Sequence, residues 1–261
     1  MVKKNFSIIM QARMGSSRLP GKVLLKYKNL SILDILINRL KNTRLIDKII
    51  IATTNKERDI KIVNYCKKNN IKYFRGSETD VLSRYYYAAK KYKIQNIVRI
   101  TSDCPLVDYR IINQMIKIFK NTNIDYLANT YPMPTNYPDG MDIEIFNFKT
   151  LKNTFHNAKL PSEREHVTIY MWKSGKFKIK KKIIKKNFSK YRFCIDYNDD
   201  FIFLKKIINK FKEKIFNVSM LQLINFCKEN KKIVLYQKKI IRNQGWLSSL
   251  KKDKKFLKKN G

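Results

Sequence analysis

The segment Gln11-Ala12-Arg13-Met14-Gly15-Ser16-Ser17-Arg18-Leu19-Pro20-Gly21-Lys22 gathers two arginines, a lysine, two serines and two glycines within twelve residues. Glycine lets a backbone approach an anion closely, and free N–H groups with Arg and Lys supply the donors. Arginine grips phosphate oxygens with a rigid fork, whereas lysine acts as a mobile point charge. The segment is not a P-loop: five residues separate Gly15 from Gly21 where four are needed, and Val23 stands where a magnesium-binding Ser or Thr belongs. It reads either as a phosphate cradle or as a basic surface loop.

Carboxylates form a second group. Arg99-Ile100-Thr101-Ser102-Asp103-Cys104-Pro105-Leu106 follows an apolar run, so Asp103 stands just past a strand end. There it can hold Mg²⁺ on a triphosphate, because that ion favours one or two carboxylates with phosphate oxygens. The other reading of Asp103 is a helix cap, a role that Asp108 fits better. Asp196 follows the apolar run 193–195, with Asp199 and Asp200 behind it; one of the three can complete the metal site, and the others read as helix-start carboxylates. Asp142 and Glu144 share one face of a possible strand and suit sugar hydroxyls, as they also suit solvent. Glu163, Arg164 and His166 cluster after Pro161-Ser162, with His166 open to a proton-accepting role or to a structural ion pair. With only His156 and His166 present and no cysteine near them in sequence, a zinc site is not expected. Tyr85, Tyr86 and Tyr87 read as helix core and boundary residues.

These groups need a scaffold that brings them together. Apolar runs at 6–10, 48–52, 72–74, 96–100 and 125–128 alternate with helical patterns: Ile32, Leu33, Leu36, Ile37 and Leu40; a polar helix around 57–69; Val81, Leu82, Tyr85 and Ala89; and Ile111, Ile112, Met115 and Phe119. Alternation of this kind predicts a doubly wound, mainly parallel twisted α/β sheet, with ligands at the carboxyl ends of its strands. From Thr130 the rhythm changes. Pro132, Pro134, Pro138 and Gly140 mark a long loop, followed by a possible strand at 141–148, a helix over 163–173, an extended run at 177–184 and an amphipathic helix carrying Leu204, Ile207, Ile208 and Phe211. The expected organisation is one domain over 1–250, with an inserted substrate arm within about 130–190 and a frayed basic tail at 251–261.

The chain of 261 residues carries 57 Lys+Arg against 20 Asp+Glu, a formal net charge of +37. A nucleic-acid binder is one reading of that charge. Its dispersal along the chain, amid abundant Ile, Asn, Tyr and Phe, fits compositional drift and attraction of an anionic substrate better. Hydrophobic residues make up 44%, which excludes a disordered chain. Cys66, Cys104, Cys194 and Cys227 lie far apart, so no disulfide scaffold is expected and a reducing cytoplasm is the expected location. No run approaches the ~20 apolar residues of a membrane span, and the apolar stretch 6–10 is short for a signal peptide.

The segments QARMGSSRLPGK, FRGSETDVLSRYYYAAKKY, RITSDCPLVD, PDGMDIEIF, SEREHVT and RFCIDYNDD, in that order over about 10–200, resemble the cytidylyltransferase family that includes spore-coat polysaccharide proteins. That family is related to the enzymes that activate 3-deoxy-manno-octulosonate and neuraminate as CMP-sugars. The resemblance implies a nucleotide-diphospho-sugar transferase-like sheet and transfer of CMP from CTP to an anionic sugar or sugar-like acceptor, for surface polysaccharide or glycoconjugate synthesis. It further implies nucleotide contacts from Ala12, Arg13, Gly15, Ser16, Arg18, Lys22, Thr101 and Asp103, with Mg²⁺ on Asp103 and Asp196. Arg13, Lys22 and Asp103 are the implied catalytic residues, and Asp142, Glu144, Arg164 and His166 the acceptor contacts. Thr101 and Ser102 depart from the Gln-Gly that the sugar-acid enzymes often carry there. A homodimer is suggested by those relatives alone. A related enzyme using another nucleotide, such as GTP, is the alternative.

Overall fold

The computed structural model describes residues 6–230, 240, 242 and 244–260. Among the described residues, the first strand, β1 (Phe6–Gln11), lies inside a sheet of seven strands. It pairs in parallel with β4 (Ile46–Thr54) on one side and with β6 (Asn96–Thr101) on the other, and β4 pairs in parallel with β5 (Lys72–Gly76). A short antiparallel hairpin, β2 (Lys26–Tyr27) and β3 (Leu30–Ser31), stands apart from this sheet. The apolar runs become central strands because both faces are covered. Ile8 and Met10 point into one buried cluster and Ile9 into another, the period-2 alternation of a strand inside a three-layer stack.

Helices α1 (Ile32–Lys41), α2 (Ile60–Lys68), α3 (Val81–Lys91) and α4 (Tyr109–Lys120) make the crossovers. Their starts follow the sequence. Ser31 and Asp34 close a capping box on α1, and the Asp80 carboxylate accepts from Ser83 N–H at the start of α3. Asp108 caps α4 by accepting from Arg110 N–H at 3.0 Å, as expected, and also accepts from Met220 N–H at 2.8 Å. Arg39, fully buried on α1, donates to the carbonyls of Leu106, Val107, Ile215 and Val218 and ties the loop after β6 to the later chain. Burial lowers its guanidinium to about 10, still fully charged near neutrality.

The stretch expected as an inserted arm is woven into the sheet. β7 (Tyr126–Ala128) does not pair with β6. Instead β8 (Glu144–Asn147) enters antiparallel between them, and β9 (Ile179–Lys181) pairs in parallel with β7 at the edge. The helix expected over 163–173 is broken at Val167 (φ 65°) into α6 (Pro161–His166) and α7 (Ile169–Lys173), after α5 (Phe148–Asn157). Helices α8 (Asn198–Phe211) and α9 (Met220–Glu229) then pack on the face that holds Ile8 and Met10.

The C-terminal segment differs from expectation. Residues 251–260 are not a frayed tail but continue a helix, α10 (Gln244–Asn260), and residue 261 lies outside the described residues. Gly245, Ser249 and Asp253 recur at four-residue spacing and so share one face. Ser249 and Asp253 are buried there, and Asp253 accepts from Ser162 N–H at 2.8 Å in the first turn of α6. Lys252 pairs with Glu165 at 2.9 Å. The remaining lysines of α10 face water. No described helix is long and apolar enough to cross a membrane.

Candidate active site

A cavity of about 700 Å³ opens at the carboxyl ends of β1, β5 and β6, where a doubly wound sheet offers ligands its loop backbones. Ala12, Arg13, Ser16 and Arg18 line one wall after β1, and Thr101, Ser102, Asp103 and Cys104 line the floor after β6. Residues 139, 142, 192, 194 and 196 form the next side, and His166, Thr168, Trp172 and Trp246 the far wall.

The loop after β1 is built by its glycines. Gly21 adopts φ 68°, and its N–H donates to Met14 carbonyl at 2.9 Å, which closes the loop and directs Lys22 inward. Lys22, the first residue of a 3-10 turn (Lys22–Leu24), is therefore not a mobile surface lysine. It is buried, and its Nζ donates at 2.9 Å each to Asp103 Oδ2, Asp196 Oδ1 and the Ile195 carbonyl. All three donors of the ammonium are used. Burial disfavours this charge, yet Asp103 and Asp196 hold the ammonium above its ordinary value. Burial likewise opposes ionisation of Asp103, but Lys22 keeps its carboxyl below the usual range.

Asp196 is gripped by three cations. Besides Lys22 it accepts from Arg18 at 2.6 Å and from Arg192 at 2.7 Å, and these partners hold its carboxyl well below the usual range against the effect of burial. Arg192 also pairs with Asp200 and with Asp139. Gly140 makes that last contact possible. At φ 89° it passes so close to the next segment that a Cβ would meet the Phe193 carbonyl carbon at 2.6 Å and Cys194 N at 2.7 Å. Beside it, burial and then Asp142 lift the Asp139 carboxyl to about 6 despite Arg192 and Arg242. Lys22, Arg18, Arg192 and Arg242 thus face five carboxylates, Asp103, Asp139, Asp142, Asp196 and Asp200, so the cluster holds one more carboxylate than cations. Arg13 stands exposed at the mouth and makes no hydrogen bond or ion pair among the described residues.

The expected contacts separate on inspection. Ala12, Arg13, Ser16, Arg18, Lys22, Thr101, Asp103, Asp196, Asp142 and His166 all line the cavity. Gly15, Glu144 and Arg164 do not. Gly15 faces the Arg58 side chain. Glu144 is buried in the sheet, accepting from Arg99, Tyr126 Oη and Thr168 Oγ1. Arg164 turns away to pair with Asp80 and to donate to the Phe155 carbonyl. Asp142 accepts from Thr130 Oγ1 at 2.6 Å and pairs with Arg242 at 3.1 Å. The His166 ring shares a 2.9 Å hydrogen bond with Ser249 Oγ, and burial lowers its pKa to about 4, so it is neutral. Tyr85 and Tyr86 are core residues, and Tyr87 is half exposed.

Sequence reasoning overlooked Arg192, Arg99, Cys194 and Trp246. Arg192 had a signal: it is the lone cation opening the acidic motif 192–200, and buried carboxylates require a partner. Trp246 lies on α10, in a segment whose lysine content concealed a docked helix.

A cationic loop and paired carboxylates at the carboxyl ends of a mainly parallel sheet define a nucleotidyltransferase of the nucleotide-diphospho-sugar transferase fold. The chain belongs to the cytidylyltransferase family, whose model matches residues 7–241. It is 38% identical over 230 residues to an uncharacterized protein of Methanocaldococcus jannaschii, spanning 86% of this chain and 91% of that one. It is 33% identical over 230 residues to the spore coat polysaccharide biosynthesis protein SpsF of Bacillus subtilis, spanning 85% and 93% respectively. Among solved structures, a cytidylyltransferase from Leptospira borgpetersenii superposes with a TM-score of 0.83 at 37% identity, covering 92% of this chain and 99% of that one.

Proposed function

We propose that the enzyme transfers CMP from CTP to an anionic sugar or sugar-like acceptor, with Mg²⁺, releasing pyrophosphate for the synthesis of a surface polysaccharide or glycoconjugate. The observation that carries this reading is Lys22, whose ammonium joins Asp103 and Asp196 directly beneath the Arg13–Arg18 loop. The name of the Bacillus relative supports the polysaccharide connection, and the family's name supports CTP.

The residues fit a hard dication. Two carboxylates already converge on one cation, and the cluster has a negative charge to spare, the oxygen donor set that magnesium favours. Asp103 and Asp196 are the residues to hold it, and when bound it supplies neutralisation of the triphosphate charge. Arg13, with its guanidinium uncommitted, and Arg18 bind phosphate oxygens at the mouth. An acceptor oxygen attacks the α-phosphorus, the bond to the β-phosphate oxygen breaks, and Lys22 with Arg13 stabilises charge on the departing pyrophosphate. Lys22 is suited to this because its two aspartates keep it protonated across the working pH range. Asp142 and neutral His166 bind acceptor hydroxyls, and Arg99 attracts the acceptor's negative charge. Glu144 and Arg164 have positioning roles: Glu144 fixes Arg99, and Arg164 fixes α6 against Asp80. No covalent enzyme intermediate is required, so catalysis is positioning and electrostatics.

Pyrophosphate release with each of the four nucleoside triphosphates, against a panel of sugar acids and sugar phosphates, tests this reading. CTP with an anionic sugar is expected to give turnover. Turnover with GTP in preference to CTP overturns it.

A further inference from the structure

The proposed reaction uses neither Cys104 nor Cys194, yet both are buried at the wall of its cavity. Cys104 follows Asp103 after β6, and Cys194 precedes Asp196 by two residues. The Ile195 N–H donates to the Asp103 carbonyl at 2.8 Å and brings the two segments together. The Cys104 sulfur lies 3.6 Å from Asp103 Oδ1 and 3.1 Å from Thr101 Oγ1, and the Cys194 sulfur lies 3.7 Å from Asp196 Oδ2. An Asp103 carboxylate oxygen and the two sulfurs all fall within 4.8 Å of one another. Asp103 divides its oxygens: Oδ2 accepts from Lys22, while Oδ1 faces Cys104.

Tetrahedral bonds of ~2.3 Å to sulfur and ~2.0 Å to oxygen place an S and an O ligand about 3.5 Å apart, and two S ligands about 3.8 Å apart. The 3.6 Å between Cys104 and Asp103 matches the first spacing, and the limit of 4.8 Å brings the other pairs within small side-chain rotations of theirs. Two sulfurs with one carboxylate form a soft donor set that selects zinc-like ions over magnesium or calcium. The other cysteines do not compete, since Cys66 and Cys227 are buried in the apolar cluster beneath α2 and α9.

We propose that Asp103, Cys104 and Cys194 form a binding site for a thiophilic divalent cation of the zinc class. Three protein ligands leave a fourth position for water or a phosphate oxygen. Occupancy takes the Asp103 carboxylate, so such a cation competes with the magnesium assigned to Asp103 above. The binding claim stands apart from that assignment, because binding is read here without any reaction.

The test is anaerobic titration of the reduced full chain with Cd²⁺, followed by sulfur-to-metal charge-transfer absorption, with the thermal midpoint measured under Zn²⁺. One equivalent of Cd²⁺ is expected to saturate the absorption, and Zn²⁺ to raise the midpoint. Cys194→Ser and Cys104→Ser are each expected to weaken binding at least about 10-fold, the lower end of what even outer-shell changes cost a metal site. Cys227→Ser is expected to leave it unchanged. Should Cys104→Ser fail to fold, Cys194→Ser decides alone. Absent saturable absorption, or wild-type affinity in Cys194→Ser, overturns the proposal. Inhibition of turnover by Cd²⁺, relieved by excess Mg²⁺ and lost in Cys194→Ser, tests the competition separately.

Discussion

Replacing Lys22 with methionine keeps the length of a buried side chain and deletes its charge. The ammonium makes three hydrogen bonds of 2.9 Å, two of them to carboxylates. Breaking a buried ion pair from one side costs ~3–5 kcal/mol when the orphaned charge has no other partner. Here the two aspartates differ. Asp196 keeps Arg18 and Arg192, so it remains compensated. Asp103 loses its only cation among the described residues, but its side chain is 26% exposed, and water recovers part of the loss. The net destabilisation is therefore set at about 2–3 kcal/mol, below the fully buried case. The sign of the pH dependence follows. Asp103 is depressed in the wild type, so its contribution is present above the ordinary carboxylate range and lost as pH falls through its folded value. The difference between Lys22→Met and wild type is expected to be largest near neutrality and to shrink below about pH 4. Turnover is expected to fall further than stability, by on the order of 10²–10³-fold, the usual loss when one preorganised charge donor is removed. Urea unfolding at pH 7 and pH 4, with pyrophosphate release on the folded variant, measures both. A loss under about 0.5 kcal/mol with turnover within a few-fold of wild type refutes the buried-bridge argument.

Gly140→Ala is expected to destabilise the fold by several kcal/mol and to abolish turnover, because the new Cβ meets backbone atoms and φ is positive; thermal melting with a turnover assay checks it. Asp108→Asn is expected to cost about 1–3 kcal/mol in urea unfolding, more than a plain cap exchange, since its amide cannot accept from both Arg110 and Met220 N–H groups. Burial keeps His166 neutral, so the unfolded chain binds its proton first as pH falls. Stability is expected to decline between the ordinary histidine range and about 4, and the decline is expected to flatten in His166→Gln, as read by denaturation across pH.

The doubly wound half was legible because each central strand is a short apolar run that must be covered on both faces. Insertion of β8 between β6 and β7 was not, since an order of this kind depends on pairing between distant segments rather than on any local pattern. The cationic loop was legible from residue types. Its geometry was not: Lys22 reaches partners 81 and 174 residues away, which only the packed chain brings together. Arg164 and His166 show a similar limit. They stand two residues apart on α6, about 200° around the helix, so only His166 faces the cavity. Asp142 and Glu144 were expected on one strand face, but β8 begins only at Glu144, whose side chain is held in the sheet by Arg99. In α10 the buried Ser249 and Asp253 are satisfied by hydrogen bonds to α6, at His166, Glu165 and the Ser162 N–H, while the lysines around them face water.

The central claim, attack on the α-phosphorus of CTP, is tested most directly by the fate of label. The purified enzyme is incubated with an anionic sugar acceptor and Mg²⁺, once with CTP labelled at the α-phosphate and once with CTP labelled at the γ-phosphate. The account predicts that α-label appears in an acceptor–CMP conjugate while γ-label appears in pyrophosphate, with both lost in Lys22→Met. Transfer of γ-label to the acceptor, or α-label remaining in free nucleotide across the acceptor panel, contradicts it.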